Sequence, residues 1–398
     1  MVSPEVELLL GCAGPQPDAH CRDRLQRLLR DKIDWDTVWR LAFQNGVGPL
    51  LDHCLAAVAA PGEVPEDFRQ RLRTHCLHVK GRNLYLTAML FDLLDVLDSH
   101  RIAAVPLRGP VLAEALYGNL ALRPFDDIDV LVHRCDVGKA KDLLVAHGYD
   151  TQYRLTPRQE AVFLRYQCQY HFHRGDRVTF LEVHWDVLPW FFSFALDAEA
   201  LWDRLETVAI GDVEVRSLGP EDSLLTLCAH GAKHLWSRLV WVCDVARLIA
   251  TRRDLDWDAV AARARRLGGE RMLRLGLFLA QDLLGTGLPS DLARVVRDDE
   301  AVRSLARDVR ARIVREGDDH PGAIETVRFH LRVREHVADR LRYCLRLPMN
   351  LNAGDLAGLS LPRPLAFGYY LMRPVGLVLR ARRRARSHRA ARDHSLEE

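Results

Sequence analysis

The chain has 398 residues, of which 48% are hydrophobic and 28% are charged, the ordinary proportions of a globular protein. This length is sufficient for two or three domains with substantial cores. The formal net charge is only +2, which argues against a protein that binds polyanions over its whole surface.

The first part of the chain is predicted to be helical. Apolar residues recur at three- and four-residue steps between Asn83 and Ser99, which is the spacing of one face of an α-helix. Pro61 and Pro65 interrupt the preceding segment and predict a loop between two helices. The sequence therefore predicts an N-terminal helical region over residues 1–98.

Residues 99–217 differ in character, because strand and helix patterns alternate there. Gly211 and Asp212 separate two alternating runs and predict a β-hairpin. The predicted strands are 103–107, 128–132, 149–154, 168–173 and 178–185, and the predicted helices are 110–117 and 137–147. These elements are too short for a large doubly wound sheet, so we expect an α+β core with a small mixed sheet.

Acidic residues stand two apart at the start of the strand predicted at 128–132. Side chains at alternate strand positions lie on one face of a sheet, so Asp127 and Asp129 point to the same place. Ile128 and Val130 point the other way, into a core. Asp126 precedes the strand and is expected to be a solvated turn residue. Two convergent carboxylates are suitable ligands for a hard cation such as magnesium.

The segment before this strand predicts a phosphate site. Arg108 and Gly109 form a predicted turn between a short strand and a helix that starts at Pro110. Such a turn presents free backbone N–H groups and the positive end of the helix dipole to an anion. Glu182, on the strand predicted at 178–185, is expected beside the aspartate pair. Three carboxylates with a phosphate site indicate metal-assisted phosphoryl or nucleotidyl transfer.

These motifs resemble the nucleotidyltransferase (DNA polymerase beta-like) superfamily, whose signature is a strand, a glycine turn, a helix and a strand with Asp-x-Asp. The segments that carry the resemblance are, in order, LRGPVLAEALYGNLALRPFDDIDVLV, GYD, LEVHWD and HGAKHLWSRLVWVCDVARLI. More narrowly, residues 80–250 are similar to the bacterial group of uncharacterised nucleotidyltransferases.

The resemblance implies a nucleotidyltransferase-like core and a set of site residues. By this likeness Gly109 belongs to the phosphate-binding turn. Asp127, Asp129 and Glu182 would bind two Mg²⁺ ions and act in catalysis, with a nucleoside triphosphate as substrate. The superfamily usually has Gly-Gly or Gly-Ser at the turn, whereas Pro110 follows the glycine here. The turn therefore offers no hydroxyl group to the phosphates.

Two arginines near the carboxylates have two interpretations. Arg108 and Arg123 either bind the phosphates of the nucleotide, for which the arginine fork is suited, or form structural salt bridges with the carboxylates. The sequence favours neither interpretation. We therefore include both arginines among the candidate nucleotide-binding residues.

From about residue 218 the pattern is again helical, which predicts a C-terminal helical domain over residues 218–345. His230 and His234 are four residues apart on one helix face, where they either contact nucleotide or acceptor phosphates or pack in the fold. Asp244 stands in an apolar helical stretch and needs a partner. Arg238, Arg247 or a histidine is expected to provide it.

Residues 346–398 combine an apolar segment with seven arginines between Arg380 and Arg392. The apolar segment is too short and too interrupted to span a bilayer. The arginines either bind an anionic partner, such as a membrane, a nucleic acid or an acidic peptide, or remain solvated.

The predicted function is magnesium-dependent transfer of a nucleoside monophosphate, in the first instance AMP from ATP, to a hydroxyl or phosphate acceptor. A peptide or small-molecule natural product, a protein side chain and an RNA end all remain open, and the last two would describe a toxin-like enzyme. A non-catalytic nucleotide-binding or partner-binding module is the alternative. Residues 190–192 either line an acceptor pocket or pack in the core.

The cysteines and the N-terminal segment predict the compartment. Nine cysteines occur without a Cys-x-x-Cys pair, and an odd number cannot form a complete disulfide framework. No basic segment followed by an apolar run opens the sequence. We therefore expect a protein of the reducing cytoplasm.

Overall fold

The computed structural model describes residues 3–15, 19–151, 153–175, 180–192, 194, 196–315, 317 and 321–350. The arginine-rich segment predicted as an anion-binding tail lies outside these residues, as does nearly all of the apolar segment before it. Within the described residues, no helix is both long enough and apolar enough to cross a membrane.

Five helices precede the sheet in the described part of residues 1–99. They are α1 (Pro4–Ala13), α2 (Ala19–Leu28), α3 (Trp35–Gln44), α4 (Gly48–Val58) and α5 (Glu66–Ser99). Pro61 and Pro65 lie in the connection between α4 and α5, where the sequence predicts a loop. The helix predicted over 83–99 is the second half of the 34-residue α5.

A mixed five-stranded sheet follows α5. Its strands are β1 (Ala104–Pro106), β2 (Asp127–Val132), β3 (Asp150–Thr151), β4 (Gln169–His173) and β5 (Phe180–His184). Their order in the sheet is β1-β2-β5-β4-β3, with β2 and β5 parallel and the other neighbours antiparallel. The connecting helices are α6 (Pro110–Tyr117), α7 (Val137–Ala146) and α8 (Pro157–Tyr166). The prediction of an α+β core with a small mixed sheet is confirmed.

Strand β2 separates a core on one face from a polar cleft on the other. Ile128, Val130 and Val132 are buried in a cluster with apolar residues of α5 and α7. Burial of a large aliphatic side chain contributes roughly 1.5–3 kcal/mol, so this face fixes the register of the strand. Asp127 and Asp129 occupy the alternate positions and therefore lie on the opposite face.

Two details differ from the expected elements. The strand predicted at 149–154 is limited to the two residues of β3, and helix α8, which the sequence did not predict, follows it. Thr156 begins α8 with a capping box, since its hydroxyl accepts from the Gln159 N–H while the Gln159 side chain accepts from the Thr156 N–H. Helix α8 therefore begins at Pro157, just after the range predicted as a strand.

The predicted hairpin is present as β6 (Leu205–Ile210) and β7 (Val213–Leu218). The C-terminal region is helical, as predicted. Its helices are α9 (Pro220–Lys233), α10 (Leu239–Thr251), α11 (Trp257–Leu267), α12 (Glu270–Leu284), α13 (Ser290–Asp298), α14 (Glu300–Ile313), α15 (Ala323–Arg332) and α16 (Val337–Arg346). One hydrophobic cluster contains residues of α1–α5 together with residues of α9–α15, so the two helical regions share a core.

Candidate active site

The parallel pairing of β2 with β5 brings the predicted carboxylates together. Asp129 lies directly opposite Glu182 in the strand register, and Asp127 precedes Asp129 by two residues on the same face. All three line a cleft of about 490 Å³ that is closed on the other side by residues of α9 and α10. The site therefore depends on a strand pairing between residues that are 53 positions apart in sequence.

Asp129 is the most strongly bound of these carboxylates. It is 5% exposed, and its Oδ2 accepts hydrogen bonds from Arg108 Nε at 2.9 Å and Arg108 Nη2 at 2.6 Å. Burial by itself would raise the pKa of Asp129, but the Arg108 guanidinium and a hydrogen bond from His184 lower that pKa well below its usual value. Asp129 is therefore a carboxylate anion in the folded protein.

Glu182 is also held ionised. Its Oε1 is 2.9 Å from Nδ1 of His171, its Oε2 is 3.4 Å from Nε2 of His184, and Gln169 donates a further hydrogen bond to it. Burial opposes ionisation, yet the hydrogen bonds from the two histidines outweigh it and lower the pKa of Glu182 to about 2. This carboxylate keeps its charge throughout the neutral range.

His184 is a site residue that sequence reasoning missed. It is 2% exposed, its Nε2 lies 3.3 Å from Asp129 Oδ1, and it forms with Asp129 and Glu182 a compact group able to hold a metal ion. Burial would lower the pKa of His184, but hydrogen bonds to these carboxylates raise it well above the ordinary value. The signal was present in the sequence, since His184 follows Glu182 by two residues and therefore shares its face.

Asp127 has the opposite environment to Asp129. Within the described residues its carboxylate has no hydrogen bond and no ion pair. Burial, and next to it the negative charge of Asp129, raise the pKa of Asp127 to about 7. The Asp127 carboxylate thus lies close to a second negative charge and has no cation in contact with it among the described residues. A bound cation would relieve this repulsion.

Gly109 forms the turn that leads into α6. Its φ of +65° and ψ of −125° are accessible mainly to glycine. A Cβ atom there would have no neighbour closer than 3.8 Å, so the backbone conformation, rather than a lack of space, requires the glycine. The first N–H groups of α6 have no partner within the helix, which leaves them able to bind an anion.

Arg123 lines the cleft and belongs to a buried ion pair. Its Nε and Nη2 donate to the two carboxylate oxygens of Asp244, each at 2.8 Å, and Tyr117 donates to the same carboxylate at 2.8 Å. The expectation that Arg238, Arg247 or a histidine pairs with Asp244 was wrong. Asn83 on α5 donates to the Arg123 carbonyl at 2.9 Å, which holds the loop in place. The fork of Arg123 is fully used within the fold.

His230 and His234 lie on one face of α9, as their spacing predicts. Their ring centroids are 4.6 Å apart, and each ring lies 5.4 Å from the ring of Trp241. Burial, followed by the charge of Arg108, keeps the pKa of His230 well below its usual value, and burial with the charge of Lys233 lowers the pKa of His234 to about 3. Both rings are neutral, and His230 Nδ1 is a hydrogen-bond partner of Arg108.

Lys233 and Arg238 also line the cleft, and sequence reasoning did not include them in the site. Neither side chain has a hydrogen bond or ion pair within the part of the chain that the structure describes. Lys233 stands beside the two histidines, a proximity the sequence showed, whereas Arg238 was considered only as a partner of Asp244. The cleft therefore offers two cations that no described carboxylate neutralises.

The aromatic residues 190–192 divide between the two expected roles. Phe192 is fully buried and belongs to the core, while Phe191 lines the cleft. Asp126 is exposed, as predicted, and pairs with Arg82 at 3.3 Å. The cleft wall thus combines the rings of Phe125, Phe191 and Trp241 with polar residues.

The comparison with known families agrees with this geometry. A family described as uncharacterised nucleotidyltransferase matches residues 31–285, which is more than half of the chain. The chain belongs to this family. The match confirms the resemblance and extends beyond residues 80–250 on both sides, from α3 to the end of α12. No curated protein matches the chain.

The residues that match the family include every residue of the candidate site. The glycine turn, the β2 carboxylates, Glu182 and the histidines of α9 all lie inside the matched range. The helices from α13 onward, which help to close the shared core, lie outside it. The site is therefore contained within the family's common part.

Proposed function

We propose that the protein is a magnesium-dependent nucleotidyltransferase that transfers a nucleoside monophosphate, in the first instance AMP from ATP, to a hydroxyl or phosphate acceptor. The observation that carries this proposal is the β2–β5 register, which places Glu182 opposite Asp129 with Asp127 on the same face. Family membership supports the reaction class.

The residues present fit a divalent cation. Asp127, Asp129 and Glu182 supply carboxylate oxygens, the ligands that Mg²⁺ prefers, and the carboxylate of Asp127 has no partner among the described residues. These three side chains would hold two Mg²⁺ ions. When bound, the metal would offset charge on the phosphates and lower the pKa of the acceptor hydroxyl.

The protein's own cations and N–H groups would bind the triphosphate. The Gly109 turn and the N-terminus of α6 would contact the phosphates, and Lys233 and Arg238 would offset their charge from the α9 and α10 side. Arg108, which is paired with Asp129 in this structure, would exchange that carboxylate for a phosphate oxygen. His230 would keep the Arg108 side chain in the cleft.

Glu182 would act as an orienting group. A carboxylate whose pKa is about 2 is a weak proton acceptor near neutral pH. His171 and His184 hold it in one position, so it would orient the acceptor oxygen and keep negative charge at the site. Its negative charge would therefore be needed for turnover.

A non-catalytic nucleotide-binding module is the second candidate. It is supported by Pro110, which follows the turn glycine and gives the phosphates no hydroxyl group. The cytoplasm remains the proposed compartment, on the argument from the cysteine pattern. The acceptor can be a small molecule, a peptide, a protein or an RNA.

Calorimetry with Mg²⁺ and a non-hydrolysable triphosphate tests the binding site. We expect Asp127→Ala and Asp129→Ala to abolish measurable binding of the metal nucleotide, because each removes an oxygen ligand. Asp142→Asn, an exposed residue of α7 outside the cleft, is the charge-matched control and should bind like the parent. Unchanged affinity in both cleft variants would show that Asp127 and Asp129 are not ligands of the metal nucleotide.

Turnover separates the enzyme from the binding module. Incubation with labelled ATP, GTP, CTP or UTP, Mg²⁺ and an extract of the source cells should release pyrophosphate and label an acceptor. Glu182→Gln should still bind the metal nucleotide but lose turnover, because it keeps the shape and removes the charge. Nucleotide binding by the parent without pyrophosphate release would favour the module.

A further inference from the structure

Helix α5 concentrates positive charge. No acidic residue occurs between Asp67 and Asp92, whereas five arginines or lysines and two histidines do, namely Arg69, Arg71, Arg73, His75, His78, Lys80 and Arg82. The whole chain has a net charge of only +2, so any site for a polyanion has to be local. This stretch of α5 is such a local concentration.

Part of this charge lies on one side of the helix, beside exposed aromatic rings. Arg71, His75, His78 and Arg82 follow one another at steps of four, three and four residues, the spacing of a single helix face. The Arg71 guanidinium lies 4.0 Å from the centre of the Trp39 ring of α3, and its Nη1 lies 3.4 Å from the carboxylate of Asp36. We call the surface formed by Trp39, Phe43, Arg71, His75, His78 and Arg82 the aromatic–basic ridge.

The rings of the ridge contact one another and remain accessible. Trp39 and Phe43 are stacked with ring centroids 6.2 Å apart, and His75 lies 5.3 Å from Phe43. Phe43 is 59% exposed, which is unusual for so large an apolar ring. An exposed ring beside an arginine offers a stacking surface next to a positive charge.

The ridge leads to the mouth of the active-site cleft. Arg82 Nη2 donates to the carbonyl of Asp126, a cleft residue, at 2.9 Å. At the end of α3, Gly46 lies so close to Arg238 that an added Cβ atom would be 2.8 Å from its Nη2. Arg71 and Arg82 are eleven residues apart, which is roughly 16 Å along a helix. The ridge and the cleft are therefore continuous.

We propose that the aromatic–basic ridge binds a single-stranded nucleic acid and directs its end into the cleft. Single strands are bound by positive grooves that follow the backbone and by aromatic rings on which unpaired bases stack. The ridge provides both features within one surface, where phosphates would displace Asp36 from Arg71 and Asp126 from Arg82, since both ion pairs are exposed. This proposal rests on the proposed function and specifies its acceptor as a nucleic acid, in preference to a small molecule or peptide.

With this acceptor, the reaction is the transfer of a nucleoside monophosphate to the end of the nucleic acid. The terminal ribose hydroxyl attacks the α-phosphorus of the nucleoside triphosphate, and its proton passes to water. The bond from the α-phosphorus to the bridging oxygen breaks, and pyrophosphate leaves. The product is the nucleic acid extended by one nucleotide.

A membrane is a poorer partner for this surface. The exposed Leu77 and Leu84 lie on a different side of α5, in one stripe with Arg73 and Lys80. A helix that lies in a bilayer surface needs a continuous apolar face with its charges on the other side. In the stripe that contains these leucines, cations alternate with the apolar residues, so it is not a membrane-binding face. It can instead serve as a control surface.

The test measures fluorescence anisotropy of a labelled single-stranded RNA of about twelve nucleotides with the full-length chain at several salt concentrations. We expect Phe43→Ala to weaken binding roughly 5- to 150-fold, the range of one lost base stack. The double variant R71Q/R82Q should reduce the slope of log affinity against log salt by roughly 1.4. The double variant R73Q/K80Q removes the same charge from the other stripe and should leave the slope near that of the parent.

Two further measurements complete the test. RNA carrying a photoreactive base should crosslink to peptides of α3 and α5, and the circular dichroism of each variant verifies its fold. Equal effects of the two double variants would contradict RNA binding by the ridge. Crosslinks confined to residues 380–392 would contradict it as well. So would binding to vesicles of anionic phospholipid that depends on Phe43 while RNA binding does not.

Calorimetry with Mg²⁺ and the non-hydrolysable triphosphate distinguishes this proposal from the proposed function. Phe43→Ala should bind the metal nucleotide like the parent, because the ring lies outside the cleft. A parent that binds RNA on the ridge but no metal nucleotide would contradict the proposed function alone. A parent that binds the nucleotide but shows no Phe43-dependent RNA binding would contradict the ridge alone.

Discussion

Arg108 and Arg123 both line the cleft, but the two regions differ in how much of the arginine side chain is exposed. Each arginine donates hydrogen bonds from two nitrogen atoms to an aspartate. Arg108 donates to Asp129, and Arg123 donates to Asp244. The Arg108 side chain is 22% exposed and lies in the cleft, whereas the Arg123 side chain is 7% exposed and its partner is fully buried. We therefore expect the Arg108 pair to open when a ligand binds and the Arg123 pair to stay closed and hold the fold.

The difference shows how burial decides the role of an ion pair. A pair that meets solvent can lose one partner to a competing ligand, because water and ions stabilise the separated charges. A pair without solvent has no such alternative, and removal of one partner leaves an uncompensated charge. Arg108 is thus available to a phosphate, while Arg123 connects the loop before β2 to α10.

The largest effect is expected when the buried pair is broken. Arg123→Met should lower the free energy of unfolding by about 3–5 kcal/mol, because it leaves the Asp244 carboxylate buried without its cation. Denaturant unfolding at pH 7 measures this loss. The double variant R123M/D244L should recover part of it, since it removes both charges. A loss below about 1 kcal/mol for the single variant would show that Arg123 is not structural.

A smaller effect is expected at Asp127, and it depends on pH. The pKa of Asp127 is raised to about 7 in the folded protein, whereas an exposed aspartate has a pKa of 3.8. The folded state therefore holds this proton more tightly, and the stability that the proton contributes is present below pH 3.8 and lost as the pH rises through 7.

Asp127→Asn keeps the shape of the protonated side chain and should remove this pH dependence. Without divalent metal at pH 8, the variant should be more stable than the parent by roughly 2–4 kcal/mol, and the difference should vanish near pH 4. Unfolding curves in EDTA across this range measure it. Added Mg²⁺ should reverse the order at pH 8 by stabilising the parent only. A variant that is less stable than the parent at pH 8 in EDTA would contradict the unfavourable environment described for the Asp127 carboxylate.

The smallest effect on stability is expected at Arg108. Arg108→Gln should cost about 1–2 kcal/mol in metal-free buffer, because Asp129 keeps its contact with His184 and the cleft admits water. The variant should at the same time bind Mg²⁺ more tightly than the parent, since a competing cation has been removed from Asp129. Mn²⁺ titration followed by electron paramagnetic resonance measures the metal affinity. A weaker affinity in the variant would show that Arg108 does not compete with the metal.

Local sequence patterns predicted much of the candidate site. The alternation of β2 predicts that Asp127 and Asp129 share a face, and the same period identifies β5 with Glu182. The turn at Gly109 and the helix from Pro110 to Tyr117 are present as predicted. Such features depend on residues within about ten positions of each other, where the backbone geometry of a strand or helix is sufficient.

Except for the short β3, the missed features depend on partners that are distant in sequence. His184 carries the same alternating signal as Glu182, but its importance follows from its contact with Asp129, 55 positions away. The short β3 is a local error, since the capping box of Thr156 and Gln159 was present in the sequence. Lys233 and Arg238 enter the site only because the end of α9 and the start of α10 line the same cleft as the carboxylates of β2 and β5.

The sequence by itself determined most elements of the sheet region, the family and the three carboxylates, because their signals are periodic or contiguous. Only the tertiary structure decided the partner of each charge. Arg108 meets His230 across 122 positions and Arg123 meets Asp244 across 121, and no local pattern encodes these separations. The physical reason is that an arginine can pair with any carboxylate it reaches, so the fold and the burial it creates select the partner and thereby the role.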